Sequence, residues 1–240
     1  MGLLKKIIFS VTALASLAFG TGFAATRPTS HPDFVTIKSV TLNPESQYYY
    51  PKLLKAFLSN DTTMTQEDYH YLYYGSMFQE DYNPYRPNPF AEELKATEPL
   101  YFRHGTLSRS EKTQIQKLAE KSLSNNPLNL RQLSYIVYAY EESGKQNLAK
   151  IWRNKLDNLL LTISYSGTGA DREHAFVIVD PAHEFDFFNL SGATVEEQIF
   201  EEPYYERVTI RLPGSTDTKQ YWFDLHHILE QYYAKHPSEK

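Results

Sequence analysis

The spacing of apolar residues changes once along the chain, at about residue 164, and this change predicts the architecture. Before it, apolar residues recur at helical spacing, most clearly over residues 108–162. After it they alternate, so that Val208, Ile210 and Leu212 share one face of a strand. Helices followed by strands predict an α+β protein, with repeat-like antiparallel helical hairpins before a small antiparallel β-meander and a C-terminal helix.

The first helices have recognisable start and stop signals. Pro51 suits the first turn of a helix, where its missing N–H is not needed. Thr65 with Asp68 three positions later matches a capping box, and Gly75 is a typical helix end. The sequence therefore predicts two short antiparallel helices before residue 76.

Residues 79–106 contain four prolines and two Asn-Pro pairs, which favour turns. We expect an ordered loop here, in which residues 90–95 can form a helical turn. Loops of this length inside a compact domain are uncommon and are often functional.

The β region, residues 164–240, is expected to hold about four antiparallel strands and a final helix. The strands are expected at 175–179, 184–188, 207–212 and 221–225, and the helix at 226–235. This region should pack against the helical region, residues 42–163, as one unit.

The first residues have the pattern of a secretory signal. Lys5 and Lys6 precede an apolar run, and the small residues Gly22 and Ala24 suit cleavage after Ala24. The run is shorter than the ~20 residues that a membrane span needs, although an uncleaved anchor is the alternative. We expect a signal peptide at 1–24, a flexible lead-in at 25–41, and a soluble mature protein that is secreted or periplasmic.

Composition excludes several classes of protein. The 240 residues carry a net charge of −5, whereas nucleic-acid binding needs a basic surface. The absence of cysteine excludes disulfides, thiolate metal ligands and a cysteine nucleophile. Aromatic residues make up 15% of the chain, a share that suits both cores and recognition surfaces.

Nine of the nineteen tyrosines lie between Tyr48 and Tyr85. One interpretation is a core, with the rings between helices. The other is a stacking surface for a sugar or peptide, with polar side chains as hydrogen-bonding partners. The candidate binding residues are Tyr73, Tyr74, Asp81, Tyr82, Asn83 and Tyr85.

Two groups of histidines and acidic residues have the residue types of a metal site. His227 and Glu230 can converge on one face of a helix, but a site closed by such ligands needs three or four of them. His174, His183 and Glu184 form a weaker version near expected strand ends. In both places the simpler interpretation is ordinary histidines, so no metal site is predicted.

Enzyme signatures give no candidate either. The Gly167-x-Gly169 turn lacks the third glycine and the following helix of a dinucleotide loop, so a hairpin turn is expected. No GxSxG elbow occurs. The acid pairs Glu80-Asp81 and Glu141-Glu142 are interpreted as solvated charge, because adjacent carboxylates diverge on a helix. The sequence therefore predicts no catalytic residue and no cofactor.

Two resemblances are carried by longer stretches. Pro127, Tyr140 and Gly144 fall near the spacing of a tetratricopeptide repeat, which implies helical hairpins over 108–162. The segment YPKLLKAFLSNDTTMTQEDYHYLYYG, the following FQEDYNPY and the later GTGADREHAFVIVD together resemble a family of exported bacterial proteins, domain of unknown function 4919. That resemblance implies export and overall build, but no activity, ligand or site residue.

Three hypotheses for the function stay open. The first is a non-enzymatic module that binds a protein, peptide or glycan through the aromatic helical half. The second is a hydrolase acting on glycan or peptide with carboxylates near Glu80 and Asp81. The third is a structural component of the cell envelope.

Overall fold

The computed structural model describes residues 29–102 and 106–239, so the signal-peptide prediction for residues 1–24 lies outside the described residues. The α-helices in these ranges are α1 (Phe34–Leu42), α2 (Tyr50–Leu58), α3 (Gln66–Gly75), α4 (Ala91–Phe102), α5 (Arg109–Asn125), α6 (Leu130–Glu142), α7 (Gln146–Tyr165), α8 (Ala182–Leu190) and α9 (His226–Lys235). The strands, which form one sheet, are β1 (Phe176–Val177), β2 (Thr194–Glu201), β3 (Tyr205–Arg211) and β4 (Thr218–Asp224). The predicted α+β class is confirmed.

Helix α1 lies where a flexible lead-in was predicted, so that prediction is wrong from residue 34 onward. Asp33 caps the helix, because its Oδ1 accepts hydrogen bonds from the N–H groups of Val35 and Thr36, both at 3.1 Å. Phe34 and Ile37 then fall on one face and are buried. The Asp33 cap and the helical spacing of the buried residues favour a helix here, although Pro32 precedes it.

Helix α3 lies at the centre of the helical half and contacts α1, α2 and α7. Its predicted capping box is present: Asp68 N–H donates to Thr65 Oγ1 at 3.2 Å, and Thr65 N–H donates to Asp68 Oδ2 at 2.7 Å. Gly75 allows α1 to approach closely, since a Cβ there would lie 2.6 Å from Cγ2 of Thr41. The glycine thus sets the spacing between two helices as well as ending one.

Helix α4 lies within the segment 79–106 that is predicted to be a loop, so the prediction is wrong for residues 91–102. It spans 12 residues and contains Pro99 within it. Proline removes one backbone donor from a helix interior, and the Thr97 hydroxyl donates to the carbonyl of Leu94 at 2.9 Å in the same turn. The prolines favour a loop over the whole segment, whereas the part that lacks regular α-helix before α4 is residues 79–90.

Helices α5, α6 and α7 form the antiparallel hairpins that the spacing predicts. Ser108 and Glu111 make a second capping box at the start of α5, and Gly144 turns the chain after α6 with φ +71°. Nearly every residue of α6 is buried. Helix α6 is therefore the inner member of this group, contacting α5, α7 and α8.

Residues 184–188 were predicted to be a strand, and this is wrong because they lie in α8. The buried side chains of this helix recur at helical spacing and include His183, Glu184, Phe187 and Phe188. Within a window of five residues, that spacing cannot be distinguished from the alternation of a strand. Pro181 precedes the helix, a position that suits its fixed φ.

The sheet has the order β1-β4-β3-β2. Strands β2, β3 and β4 form the predicted antiparallel meander, but its first strand is the mostly exposed β2, which has no alternating apolar pattern to reveal it. Strand β1 pairs in parallel with β4, with Phe176 beside Phe223. Helix α8 occupies the connection from β1 to the meander.

The buried apolar residues of both halves form one cluster, from Phe34 in α1 to Ile228 in α9. On the sheet side, the rings of Phe176 and Phe187 have centroids 5.1 Å apart, and those of Phe188 and Phe223 are 5.6 Å apart. Since α8 contributes to this aromatic packing and also contacts α6, it connects the sheet to the helices.

Candidate functional site

The structure divides the tyrosine-rich block between core and surface. Tyr73 and Tyr74 are fully buried. The Tyr74 hydroxyl donates to the carbonyl of Val177 at 3.2 Å, so it attaches α3 to β1. Burial raises the pKa of both tyrosines well above the usual range. These two rings belong to the core and offer no stacking surface.

Tyr82 and Tyr85 lie nearer the surface, in the segment that follows α3. Tyr82 Oη donates to the carbonyl of Val179 at 2.7 Å, and Lys235 Nζ donates to the carbonyl of Tyr82 at 3.1 Å. Tyr85 is 45% exposed and packs edge-on against Tyr232, with ring centroids 4.7 Å apart. Hydrogen bonds therefore attach the segment to the chain just after β1 on one side and to α9 on the other.

A polar cleft of about 280 Å³ lies between three turns of the chain. Its walls are the segment 79–88, the turn 125–129 between α5 and α6, and the turn 179–183 between β1 and α8. Of the six predicted binding residues, Asp81, Tyr82 and Asn83 line this cleft, whereas Tyr73, Tyr74 and Tyr85 do not. We refer to this space below as the cleft.

Five asparagines line the cleft, and the carboxamides of four of them are held by the chain. Asn129 Oδ1 caps α6 by accepting from the N–H of Gln132 at 3.0 Å. Asn83 Oδ1 accepts from the N–H of Tyr85 at 3.0 Å. The other two contacts are Asn88 Nδ2 to Ser122 Oγ at 3.0 Å and Asn126 Nδ2 to Asp180 Oδ2 at 3.4 Å. Since each side chain uses only part of its hydrogen-bonding capacity in these contacts, groups are left to meet a ligand.

His183 lines the cleft and is 1% exposed. Its Nδ1 lies 2.8 Å from the Tyr73 hydroxyl, and the two rings stack with centroids 5.7 Å apart. Its Nε2 is buried and has no hydrogen-bond partner within the described part of the chain. An unpartnered buried nitrogen is costly, at ~1–3 kcal/mol, so its presence at a cleft calls for a functional explanation.

Charges of both signs surround the cleft. Asp81 and Asp180 lie in its walls, and Arg86 contributes a cation whose Nη2 donates to the carbonyl of Asp81. Lys235 lies just behind the segment 79–88, where Nζ donates to the carbonyl of Gln79 at 2.7 Å. With two acids and two bases, the site has no strong preference for an anion or a cation.

Histidines of both motifs weighed as metal sites form local pairs, as the simpler interpretation expects. His227 Nδ1 lies 2.9 Å from Glu230 Oε2, and the His227 ring packs on Phe34 with centroids 3.8 Å apart. His174 Nδ1 lies 2.8 Å from Asp171 Oδ1. Over residues 29–102 and 106–239, the structure contains no group of three or more histidines, cysteines or acids that could hold a metal ion.

The sequence did not point to several residues that build the cleft. His183 was considered only with His174 and Glu184 as a weak metal motif, and Asp180 was not considered. The available signal was the turn chemistry: Asn125-Asn126-Pro127 and Asp180-Pro181 are both turn sequences that bring polar side chains to the surface. What brings those turns together is the packing of α8 against α6, which is a tertiary contact.

Comparison with known families confirms the resemblance seen in the sequence. A family model described as Domain of unknown function (DUF4919) matches residues 35–234. The searches of curated proteins and of solved structures gave no significant match. Among the described residues, none of the helices has the length and apolar character to cross a membrane.

Proposed function

The chain belongs to the DUF4919 family of unknown function, and we propose that it is an exported, non-enzymatic binding protein whose cleft takes a neutral, hydroxyl-rich ligand, namely a saccharide. The observation that carries this proposal is His183, a buried imidazole whose Nε2 lacks a partner beside a cleft lined with carboxamides.

The hydrogen bonds around Tyr73 indicate which His183 nitrogen carries the proton. The N–H of Val179 donates to the Tyr73 hydroxyl oxygen at 3.4 Å, which leaves the hydroxyl hydrogen to be donated to His183 Nδ1. A neutral imidazole whose Nδ1 accepts carries its proton on Nε2. His183 therefore offers an N–H donor, and a ligand oxygen would remove the cost of leaving that donor unpaired.

The other side chains favour a saccharide over a charged ligand. Carboxamides and carboxylates can each hold two neighbouring hydroxyl groups, and the cleft has five asparagines and two aspartates. The rings of Tyr50 and Tyr82 add apolar surface, which suits the C–H face of a sugar. The volume of about 280 Å³ is small for a ligand pocket, so the cleft suits a single sugar unit.

Binding can be tested by saturation-transfer NMR and calorimetry with glucose, galactose, mannose and N-acetylglucosamine as probes. We expect at least one of them to bind, and His183→Phe, which keeps a ring in the core, to weaken binding roughly tenfold through one lost hydrogen bond. The matched control is His174→Phe, an exposed histidine outside the cleft. Equal binding by wild type and His183→Phe, with unchanged melting temperature, contradicts the role of His183.

A hydrolase is the second candidate, because Asp81 and Asp180 line the same cleft. Glycoside hydrolysis needs two carboxyl groups on opposite sides of the scissile bond. If the protein is a hydrolase, oligosaccharides incubated with it should be cleaved and Asp180→Asn should abolish cleavage. Binding without turnover would favour the non-enzymatic function.

Export is part of the proposal and rests on the sequence alone. Mass spectrometry of the mature N-terminus should find cleavage after Ala24, and fractionation should find the protein in the periplasm or the medium. A full-length N-terminus in the cytoplasm would contradict this part without affecting the cleft.

A further inference from the structure

A second cavity of about 270 Å³ adjoins the cleft, between helices α4, α6 and α8. Asn88, Asn129 and Ala182 line both spaces, so the two meet across these residues. We call the second cavity the side lobe. These three residues form the boundary that a ligand occupying both spaces would cross.

Gln132 gives the side lobe its most informative feature. Its backbone N–H is held by Asn129, and its side chain is 4% exposed. The amide oxygen is buried and has no hydrogen-bond partner within the described residues. This is a second buried polar atom without a partner, and it lies beside the side lobe on the turn of α6 that follows the cleft.

The remaining walls of the side lobe contain one ion pair and one aromatic stack. Arg131 Nη2 lies 2.7 Å from Asp186 Oδ1, and Arg131 Nε donates to the same oxygen at 2.8 Å. The Tyr135 ring stacks on Tyr101 with centroids 3.6 Å apart. Lys95 and Glu98 of α4 carry opposite charges. The side lobe, like the cleft, is thus suited to a neutral polar ligand.

We propose that the side lobe is a second saccharide subsite, so that the natural ligand is at least a disaccharide. This inference rests on the proposed function, in which the cleft holds one sugar unit. His183 supplies a donor in the cleft and Gln132 supplies an acceptor in the side lobe. Hydroxyl groups can both accept and donate, so a chain of sugar units satisfies both atoms.

The experiment compares monosaccharides with disaccharides on matched variants, by calorimetry. The probes are glucose, galactose, mannose and N-acetylglucosamine, each beside its homodisaccharide. Gln132→Leu removes the buried amide. Gln146→Leu, at the exposed start of α7, is the control for Gln132→Leu. Thermal melting of every variant checks that the fold is retained.

We expect wild type to bind a disaccharide roughly tenfold more tightly than its monosaccharide. Gln132→Leu should remove most of that gain and leave monosaccharide binding unchanged, because Gln132 lines the side lobe and not the cleft, while Gln146→Leu changes neither affinity. Equal affinity for the two sizes, or a disaccharide affinity that Gln132→Leu does not alter, overturns the second subsite alone. Failure of wild type to bind any of these sugars overturns the proposed function and the subsite with it.

Discussion

The Tyr73 hydroxyl lies 2.8 Å from Nδ1 of His183, and this contact joins α3 in the helical half to α8 beside the sheet. Tyr73 is itself fully buried and does not line the cleft. It nevertheless fixes the ring of a residue that does. Tyr73 of the tyrosine-rich block therefore contributes to the candidate site indirectly, by holding His183 in place.

Removing the Tyr73 hydroxyl tests this support. We expect Tyr73→Phe to lower the free energy of unfolding by ~1–2 kcal/mol, because His183 Nδ1 loses a buried partner. Sugar binding should also weaken, since the proton on Nε2 is no longer fixed. Urea unfolding and calorimetry measure the two effects. The control is Tyr69→Phe, at another buried tyrosine of α3; an equal loss in both variants would contradict the role of Tyr73.

Stability should fall with rising pH because of Glu184. Burial raises the pKa of Glu184 well above its usual value of about 4.3. The negative charge of neighbouring Glu206 is the second cause, and it acts in the same direction. The folded state then binds this proton more tightly than the unfolded chain does. The stability that this tighter proton binding contributes is fully present below the usual pKa of the carboxyl group. It is lost as the pH rises through the pKa that Glu184 has in the folded protein.

Glu184→Gln removes that titration and should flatten the dependence of the free energy of unfolding on pH above about pH 5. Its side chain can still contact Gln198, whose Nε2 lies 3.2 Å from Glu184 Oε2 in the wild type. Denaturant unfolding at a series of pH values measures the slope. Glu197→Gln, on the exposed strand β2, should leave the slope unchanged; a wild-type slope retained by Glu184→Gln would contradict the assignment.

The close approach of α1 and α3 predicts a pair of compensating substitutions. Gly75→Ala places a Cβ 2.6 Å from Cγ2 of Thr41 and should destabilise the fold by about 1–3 kcal/mol. Thr41→Ser removes that methyl group but keeps the hydroxyl that donates to the Ile37 carbonyl at 2.7 Å. The double variant should therefore recover part of the loss. Strictly additive effects in urea unfolding would show that the two helices do not meet here.

Helix α1 should be necessary for stability rather than a removable lead-in. The Phe34 ring is buried against Tyr74 and His227, with centroids 5.8 and 3.8 Å away. We expect Phe34→Ala to cost about 3 kcal/mol or more, as for other buried aromatic truncations. Val35→Ala, on the exposed face of the same helix, should cost little. Comparable losses in the two variants would contradict the packing of α1.

Local signals predicted the parts of the fold whose cause is local. The Thr65–Asp68 capping box, the turn at Gly144 and the alternation around Val208 each lie within a few residues and are seen in the structure. The errors arose where a local signal had two interpretations. The helix at 182–190 has too few residues to separate the two periods, and Pro99 suggested a break inside a helix.

The candidate site was predictable only in part, because it depends on distant segments meeting. Asp81, Tyr82 and Asn83 were proposed from composition, and they do line the cleft. His183 is distinguished by its contact with Tyr73, 110 positions earlier in the chain, and nothing in the neighbouring sequence indicates that contact. Long-range pairings of this kind are determined by packing between elements rather than by any motif.

The parallel pairing of β1 with β4 has a consequence for biogenesis. Phe176 cannot acquire its partner Phe223 until residues 218–224 have been synthesised, so the nascent chain carries an incomplete sheet edge and unpaired apolar side chains for most of its emergence. Contacts of such high sequence separation form slowly, and the exposed intermediates invite aggregation. Holdase chaperones should therefore bind this chain during synthesis, most strongly before the final strand appears.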